Sequence, residues 1–562
     1  MLHLVGIPEL SLTDSLLSVA ASALFTYVIF NRFEPMAMPI LIFFLVVIPS
    51  ALSLLLWSHF SLLLAVGTAF SLYHSIILIS VTLYRLSPFH PLARYPGPAK
   101  AKVASYFYYK LGAAGKRHEE VKRWFEEYNA DVVRIGPNEI AIRDPSTVPA
   151  IMGTQGLARG PGHDGRGFFA DNRNLLNWRD PIMHAKRRKP WARGLNPVSL
   201  KQFEPVLEAR VTQLVDLLLS KNDGRANISE CISHFAYDFM GDMAFGGGSE
   251  LMKNGDPQRT IESMQASMKV GILLESFPWF SYHALKIPSV YARIMAFRKA
   301  AEVRARQRIM KGTQVKDLFH FLNHEDLGGD DAPSINTVAS EGFLVVLAGA
   351  DTTSATIATT LWCLMRHPAV YKKLQEEVDR FYPQGENALD CKHHGELTYL
   401  DAVLNETLRL YPVEASGSQR ATTGQGLLIG PHYIPPYTSV RIHTYAMQRD
   451  PRNFSPHPES FWPERWLIAS SPSIEGQSEK SEGTFIHNTN AFMPFSFGPA
   501  NCVGKALAIK EMKMVMCHLL QQMDVRFAEG YDPEQFERGM RDWLTLEVGS
   551  LPVVITPRSA KV

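Results

Sequence analysis

The sequence predicts a mainly α-helical protein with a small β lobe, preceded by membrane-spanning helices at its N-terminus, and three observations point there. The first 85 or so residues hold long apolar stretches free of Lys, Arg, Asp and Glu. From Ser334, which suits an N-cap, to Arg366, just short of Pro368, the chain is apolar and helix-compatible over a length that would cross a whole domain. Asp131 to Ile142 reads as two short strands about a Gly136-Pro137-Asn138 turn.

Taken in order, Met36–Leu56 and Leu62–Tyr84 are each long enough to cross the ~30 Å hydrocarbon core. Ser15–Phe30 is a third, shorter stretch. A cleaved signal peptide or an interfacial helix competes for it, but a signal peptide wants a positive leader, and no Lys or Arg precedes Ser15. Arg85, Arg94, Lys100 and Lys102 follow the last stretch, whereas Glu9 and Asp14 lie at the N-terminus. Because cytoplasmic flanks carry the excess of Lys and Arg, this bias puts the N-terminus in the lumen and everything after Tyr84 in the cytosol. A single span would also leave the chain that follows in the cytosol; three are preferred, and residues 1–88 are assigned to the anchor. Residues 89–98, rich in Pro and Gly, form a hinge stiffened by the fixed φ of each proline, and 99–562 form the remaining domain. Glu325–Asp331 and Ser470–Gly483 lack apolar periodicity and read as surface loops.

Composition narrows the function. A net charge of +2 and a pI near 8.1, with charged residues at 20% and no basic block, argue against nucleic acid binding. The five cysteines, Cys231, Cys363, Cys391, Cys502 and Cys517, are odd in number and include no C-x-x-C pair, so neither a disulfide framework nor a zinc site is indicated. A reducing compartment fits.

One cysteine stands apart. The stretch from Phe495 through Gly498 and Cys502 to Gly504 is a glycine-punctuated loop that delivers Cys502 to the start of a helical segment. There, unpaired N–H groups and the positive end of the dipole would favour a thiolate, and glycines let the backbone fold closely around the sulfur and a metal. An iron porphyrin would satisfy such a site. Upstream, in order, lie Ala348-Gly349-Ala350-Asp351-Thr352-Thr353, Glu406-Thr407-Leu408-Arg409 and Pro463-Glu464-Arg465-Trp466.

This ordered set resembles the cytochrome P450 family of haem-thiolate monooxygenases, from about His90 to the C-terminus, and the hinge resembles that of fungal members. The resemblance implies one large, mostly helical domain of the P450 fold, with haem b as cofactor and Cys502 as axial iron ligand, a sulfur donor that favours O–O cleavage. It assigns Phe495 and Gly498 to the cofactor loop. Gly349 and Ala350 would let the macrocycle and bound oxygen approach the helix, where Thr352 would bond a carbonyl or a water instead of leaving the helix regular. Asp351 and Thr352 would relay protons so that water, not peroxide, leaves. Glu406, Arg409 and Arg465 would form a buried structural triad. His184, Arg188 and Arg420 fall where the family holds the haem propionates. One departure is plain: Ala500 stands where the family usually has an arginine.

Lys505, Lys510 and Lys513 follow the cysteine and either form part of a basic docking face for an acidic flavoprotein or are a solvated helix face. Substrate contacts are expected from Gly160–Asp180, Gly271–His283, Val413–Ser418 and the loop around Leu544, with Phe277, Trp279, Phe280 and Tyr282 as candidate membrane-touching aromatics. The implied enzyme is a monooxygenase of the endoplasmic reticulum membrane with a cytosolic catalytic domain. It would insert one oxygen atom into an apolar organic substrate, using NADPH electrons passed on by a reductase, with cytochrome b5 as a further candidate donor. Two rivals are a haem-thiolate isomerase or peroxygenase, which has less need of Asp351 and Thr352, and a non-catalytic membrane haem scaffold, which has no need of the intact triad and ligand.

Overall fold

The computed structural model describes residues 10–166, 173–221, 223–312, 316–328, 332–470 and 484–558. Two compact units divide the chain. One runs to Ser105 and takes in Arg134–Asn138; the other holds Tyr106–Val133 and the chain from Glu139 onward.

Three N-terminal helices, Leu12–Phe33, Met38–Leu56 and Leu62–Leu86, are long and apolar enough to cross a membrane. The first outruns its expected bounds of 15–30. The Ser11 hydroxyl accepts from the Asp14 amide at 3.1 Å and caps its start, Asp14 and Arg32 each oppose the dipole at the proper end, and Glu34 closes it in the left-handed conformation at φ 43°. The second contains a π-helical turn over Phe43–Val47, shortly before Pro49, whose nitrogen has no proton for the carbonyl four residues back. Small residues let these helices approach: Ala23, Ala65 and Ala69 are buried beside Val19, Leu56 and Tyr73. The Tyr73 hydroxyl donates to the Phe44 carbonyl at 2.9 Å. Leu17, Phe25, Leu63, Leu78 and Leu83 face outward, an apolar surface suited to lipid and unsuited to water.

The hinge sequence is folded into turns. His90 accepts the Leu92 amide at 3.1 Å through Nδ1, and its Nε2 lies 3.2 Å from the Arg134 guanidinium. Arg134 also donates to the carbonyls of Arg85 and Pro137. Burial, then Arg134 and Arg85, push the His90 pKa down to about 4, so it stays neutral at physiological pH.

In the second unit the expected central helix runs Ile335–Arg366, and the Ser334 hydroxyl caps it by accepting the Thr337 amide at 3.3 Å. It is as apolar as a membrane span, yet most of it is buried in protein. Against it packs Ile228–Phe245, buried almost along its whole length. Gly342 and Gly349, two turns apart on one face, permit the approach: a Cβ at 342 would meet the Phe245 ring at 2.7 Å, and one at 349 would lie 2.6 Å from Met240 Sδ. Four strands of this unit's sheet lie in the order Glu139–Ile142, Ser439–Ile442, Gln419–Ala421, Ala158–Arg159. Glu139–Ile142 pairs in parallel with Ser439–Ile442, and the last two strands pair antiparallel, with Arg159 opposite Arg420.

One expected loop is firmer than its composition suggested. Glu325–Leu327 forms a single 3₁₀ turn in which Asp326 meets Arg193 at 2.6 Å and Glu325 meets His320 at 3.0 Å. Residues 329–331 and 471–483 lie outside the described residues.

Candidate active site

The cysteine loop is held by its own backbone. The Cys502 amide donates to the Phe495 carbonyl at 2.9 Å and the Asn501 amide to the Gly498 carbonyl at 3.1 Å, so the chain doubles back before the helix Lys505–Gln522 begins. Gly498 sits at φ 71°, where a Cβ would collide with the Met152 carbonyl. Cys502 is the one cysteine of the five exposed by accessible area, yet protein surrounds its sulfur closely enough to desolvate a thiolate. Burial of its sulfur raises the pKa, while the amides of Gly504 and Lys505 and the Arg188 guanidinium pull it down, as the N-terminus of a helix should. The Lys505 ammonium lies 5.6 Å from the Phe495 ring centroid.

His184, Arg188 and Arg420, far apart in sequence, line one cavity of about 350 Å³ together with Ala500 and Pro499. His184 and Arg188 come from the helix Pro181–Gly194, one turn apart on the same face. Arg188 grips the cysteine loop by donating to the Asn501 carbonyl and side-chain oxygens, both at 2.6 Å. The cavity holds a cation that the sequence did not announce: Arg159, buried and opposite Arg420 in the sheet. A two-residue strand leaves no periodic signature, so only the ladder reveals the pairing. Burial, then Arg420, lowers the Arg159 pKa to about 9, and burial, then Arg159, lowers that of His184 to about 4. Nε2 of His184 and the Nε atoms of Arg159 and Arg420 are buried without a hydrogen-bond partner. Three orphaned nitrogens in one cationic cavity suit an anionic ligand, and Arg159 partly offsets the missing arginine at 500.

On the central helix, the Thr352 hydroxyl donates to the Ala348 carbonyl at 2.7 Å, and Thr356, Thr359 and Thr360 make the same four-residue back-bond. The helix absorbs these bonds and stays α-helical throughout, a correction to the expectation of local irregularity. The bare Cα of Gly349 faces Met240, so its smallness serves helix packing as well. Asp351 accepts from the Thr545 hydroxyl at 2.8 Å, and burial pushes its carboxyl up to about 6.

The triad is fully buried. Arg409 donates to both Glu406 oxygens at 2.9 Å, and Arg465 to Oε1 at 3.0 Å. The Trp462 amide, one residue outside the motif, and the indole of Trp466, a motif residue with no expected part in the triad, complete the carboxylate at 3.0 Å each. Burial alone would raise the Glu406 pKa, but Arg409 and Arg465 hold it below the usual value. Arg409 also donates to the carbonyls of Gln448, Pro458 and Ser460. Gln448 in turn accepts the Met493 amide at 3.1 Å, tying the triad to the cysteine loop.

The basic docking face does not form as a set. Lys513 is buried against Asp401 and the His394 carbonyl, and Lys510 is paired with Glu204, which leaves Lys505 exposed. The expected substrate segments do converge. Leu544 packs on Gly271, the Leu546 amide donates to the Val413 carbonyl, and His163 Nε2 lies 3.5 Å from the Ser418 hydroxyl. Within the first segment, 167–172 lie outside the described residues. Trp279 and Tyr282 are exposed, whereas Phe277 packs edge-on against Tyr109.

Among the described residues no group of three or more His, Cys, Asp or Glu could hold a metal ion. A metal on Cys502 would therefore bring most of its ligands with it, as iron in a porphyrin does. The family model described as Cytochrome P450 matches residues 99–551. The chain belongs to the cytochrome P450 family. Among similar proteins, the P450 is 32% identical to "Cytochrome P450 monooxygenase orf5" of Eupenicillium brefeldianum, over 86% of this chain and 94% of that one. It is 31% identical to "Cytochrome P450 monooxygenase FCK2" of Fusarium pseudograminearum, over 86% and 85% respectively. "Tryprostatin B 6-hydroxylase" of Aspergillus fumigatus is 27% identical, over 85% of this chain and 83% of that one. This P450 is an oxidoreductase of the monooxygenase class whose cofactor is haem iron. The residues fit that group: Cys502 could hold the iron, and Arg159, Arg188, His184 and Arg420 its carboxylates.

Proposed function

We propose that this P450 inserts one atom of O2 into an apolar organic substrate, a terpenoid, steroid or aromatic secondary metabolite or a xenobiotic. Electrons come from NADPH through a membrane-bound reductase, and the cofactor is haem b ligated by Cys502. When bound, the haem supplies oxygen activation. The protein supplies position and protons: Arg159, Arg188, His184 and Arg420 orient the cofactor, and Asp351 and Thr352 move protons. The observation that carries this reading is the acid–alcohol pair. Asp351, raised to about 6, can both hold and release a proton near neutrality, and the Thr352 oxygen keeps lone pairs to accept one. A peroxygenase or isomerase would have less need of the pair. The hydroxylation for which tryprostatin B 6-hydroxylase is named is a reaction of the proposed type.

Thr352→Ala tests it. The variant is expected to keep haem and substrate binding while diverting electrons from product to peroxide, measured as NADPH consumed, peroxide released and product formed. Full coupling in the variant contradicts the assignment. Turnover of a mixed terpenoid and aromatic panel in reductase-containing microsomes, read by mass spectrometry, identifies the substrate class.

The same reading places the three N-terminal helices in the endoplasmic reticulum membrane, with a lumenal N-terminus and a cytosolic catalytic domain. Asn227, Asn405 and Asn453 open N-x-S/T sequences, and all are expected to stay unglycosylated. Asn405 lies within the helix Thr398–Leu410, and Asn453 is buried. Acceptor sites engineered near the N-terminus and on an extended His59 loop should be modified. A glycan on any native site after Tyr84 overturns the topology.

A further inference from the structure

The hairpin Arg541–Trp543 and Thr545–Glu547 carries a second carboxyl toward Asp351. Its strands pair Arg541 with Glu547 and Trp543 with Thr545, and its tip, Leu544, takes φ 75°. Thr545 and Glu547, two residues apart, share one face of the strand and stand about 7 Å apart along it. Thr545 is fastened to the central helix by its hydrogen bond to Asp351 Oδ2. Oε1 of Glu547 is buried and has no hydrogen-bond partner. The exposed Lys269 lies with its ammonium 3.7 Å from the Trp543 ring centroid on the neighbouring strand.

We infer that Glu547 supplies the protons that Asp351 spends, with the Thr545 hydroxyl as the link. The inference rests on the proposed relay role of Asp351 and Thr352, and extends it outward to solvent. Glu547 passes its proton to Thr545 Oγ1, its neighbour on the same face of the strand, a transfer that needs its carboxyl to reach the hydroxyl directly or through water. Thr545 simultaneously gives its own hydroxyl proton to Asp351 Oδ2. Asp351 then delivers a proton on the Thr352 side, and Glu547 regains one from water beside Lys269. Each group returns to its starting state, no electrons move in the relay, and one proton enters per pass, so two passes supply the two protons that release of water consumes.

The charges fit that task. Burial, then the neighbouring Asp351, pushes Glu547 up to about 7, and Lys269 pulls it down. Arg541, across the ladder, spends Nη1 on the carbonyls of Arg538 and Met540. A carboxyl poised near neutrality on the solvent side of one near 6 can reload it at physiological pH.

The test uses the reductase-supported holoenzyme with Glu547→Gln, Thr545→Val, Thr545→Ser and Asp351→Asn, each checked for its ferrous carbon-monoxide spectrum. Glu547→Gln and Thr545→Val are expected to lower product formed per NADPH about tenfold, and Thr545→Ser, which keeps the hydroxyl, to restore it. Glu547→Gln should also remove the alkaline limb of the coupling–pH profile. Independently of turnover, the protonated-carboxyl infrared band that disappears near pH 7, to which buried Glu341 also contributes, should lose part of its amplitude in Glu547→Gln, and undiminished amplitude would count against the inference. Unchanged coupling and pH profile in Glu547→Gln overturn the inference, as does loss of its haem signature, which would make Glu547 structural. If Asp351→Asn uncouples while the hairpin variants do not, this inference fails alone; if Asp351→Asn stays fully coupled, the underlying relay fails with it.

Discussion

Cys502→Ser abolishes the thiolate-ligated signature of the ferrous, carbon-monoxide-treated protein, and with it monooxygenase turnover. An alcohol at neutral pH cannot supply the sulfur anion that sets the electronics of this iron. The loop should survive the change, because its shape rests on the Cys502 amide, the Phe495 carbonyl and the left-handed Gly498, none of which uses the sulfur. The variant is therefore expected to fold, and to show at most the spectrum of weakly held haem. An unchanged thiolate band would remove Cys502 from the ligand role.

Arg409→Ala is expected to be the most damaging change to folding. It strips two hydrogen bonds from a carboxylate with no exposure and leaves three chain carbonyls without their donor. Breaking a buried pair by removing one partner costs about 3–5 kcal/mol, a large share of the 5–15 kcal/mol by which a domain is ordinarily stable. Because Gln448 joins the Arg409 cluster to the Met493 amide, the loss propagates to the cysteine loop, and haem content should fall with it. The measurement is the yield of holoprotein by its carbon-monoxide spectrum, alongside its thermal midpoint. A stable, haem-loaded Arg409→Ala protein contradicts the structural role of the triad.

Local signals made much of this architecture legible. The central helix was readable end to end because its cap, Ser334, and its stop, Pro368, are local devices acting on an apolar run. The three N-terminal apolar helices were readable because length and freedom from charge are local properties, and their ends shifted by a few residues where Ser11 and Glu34 extended the first helix. Glu406 and Arg409 were legible as a pair because three residues is a helical repeat, but their tryptophan partners come from a distant segment. The lysines after Cys502 misled for the converse reason. Charge is visible in a sequence, whereas Glu204 and Asp401, which pair with two of the lysines, are brought in only by packing.

What the sequence by itself determined is therefore the chemistry of local pattern: three apolar helices, a long core helix, a cysteine at a helix start and an acid–alcohol pair. Tertiary structure alone decided which distant groups share a space. It set Arg159 opposite Arg420 in the cavity with Ala500, turned Gly349 toward Met240, and brought Thr545 within 2.8 Å of Asp351. The physical reason is range. Capping, dipoles and helical periodicity act over a few residues and leave their mark in neighbouring letters, while a buried carboxyl or guanidinium takes its partner, and hence its pKa, from whatever the folded chain places beside it.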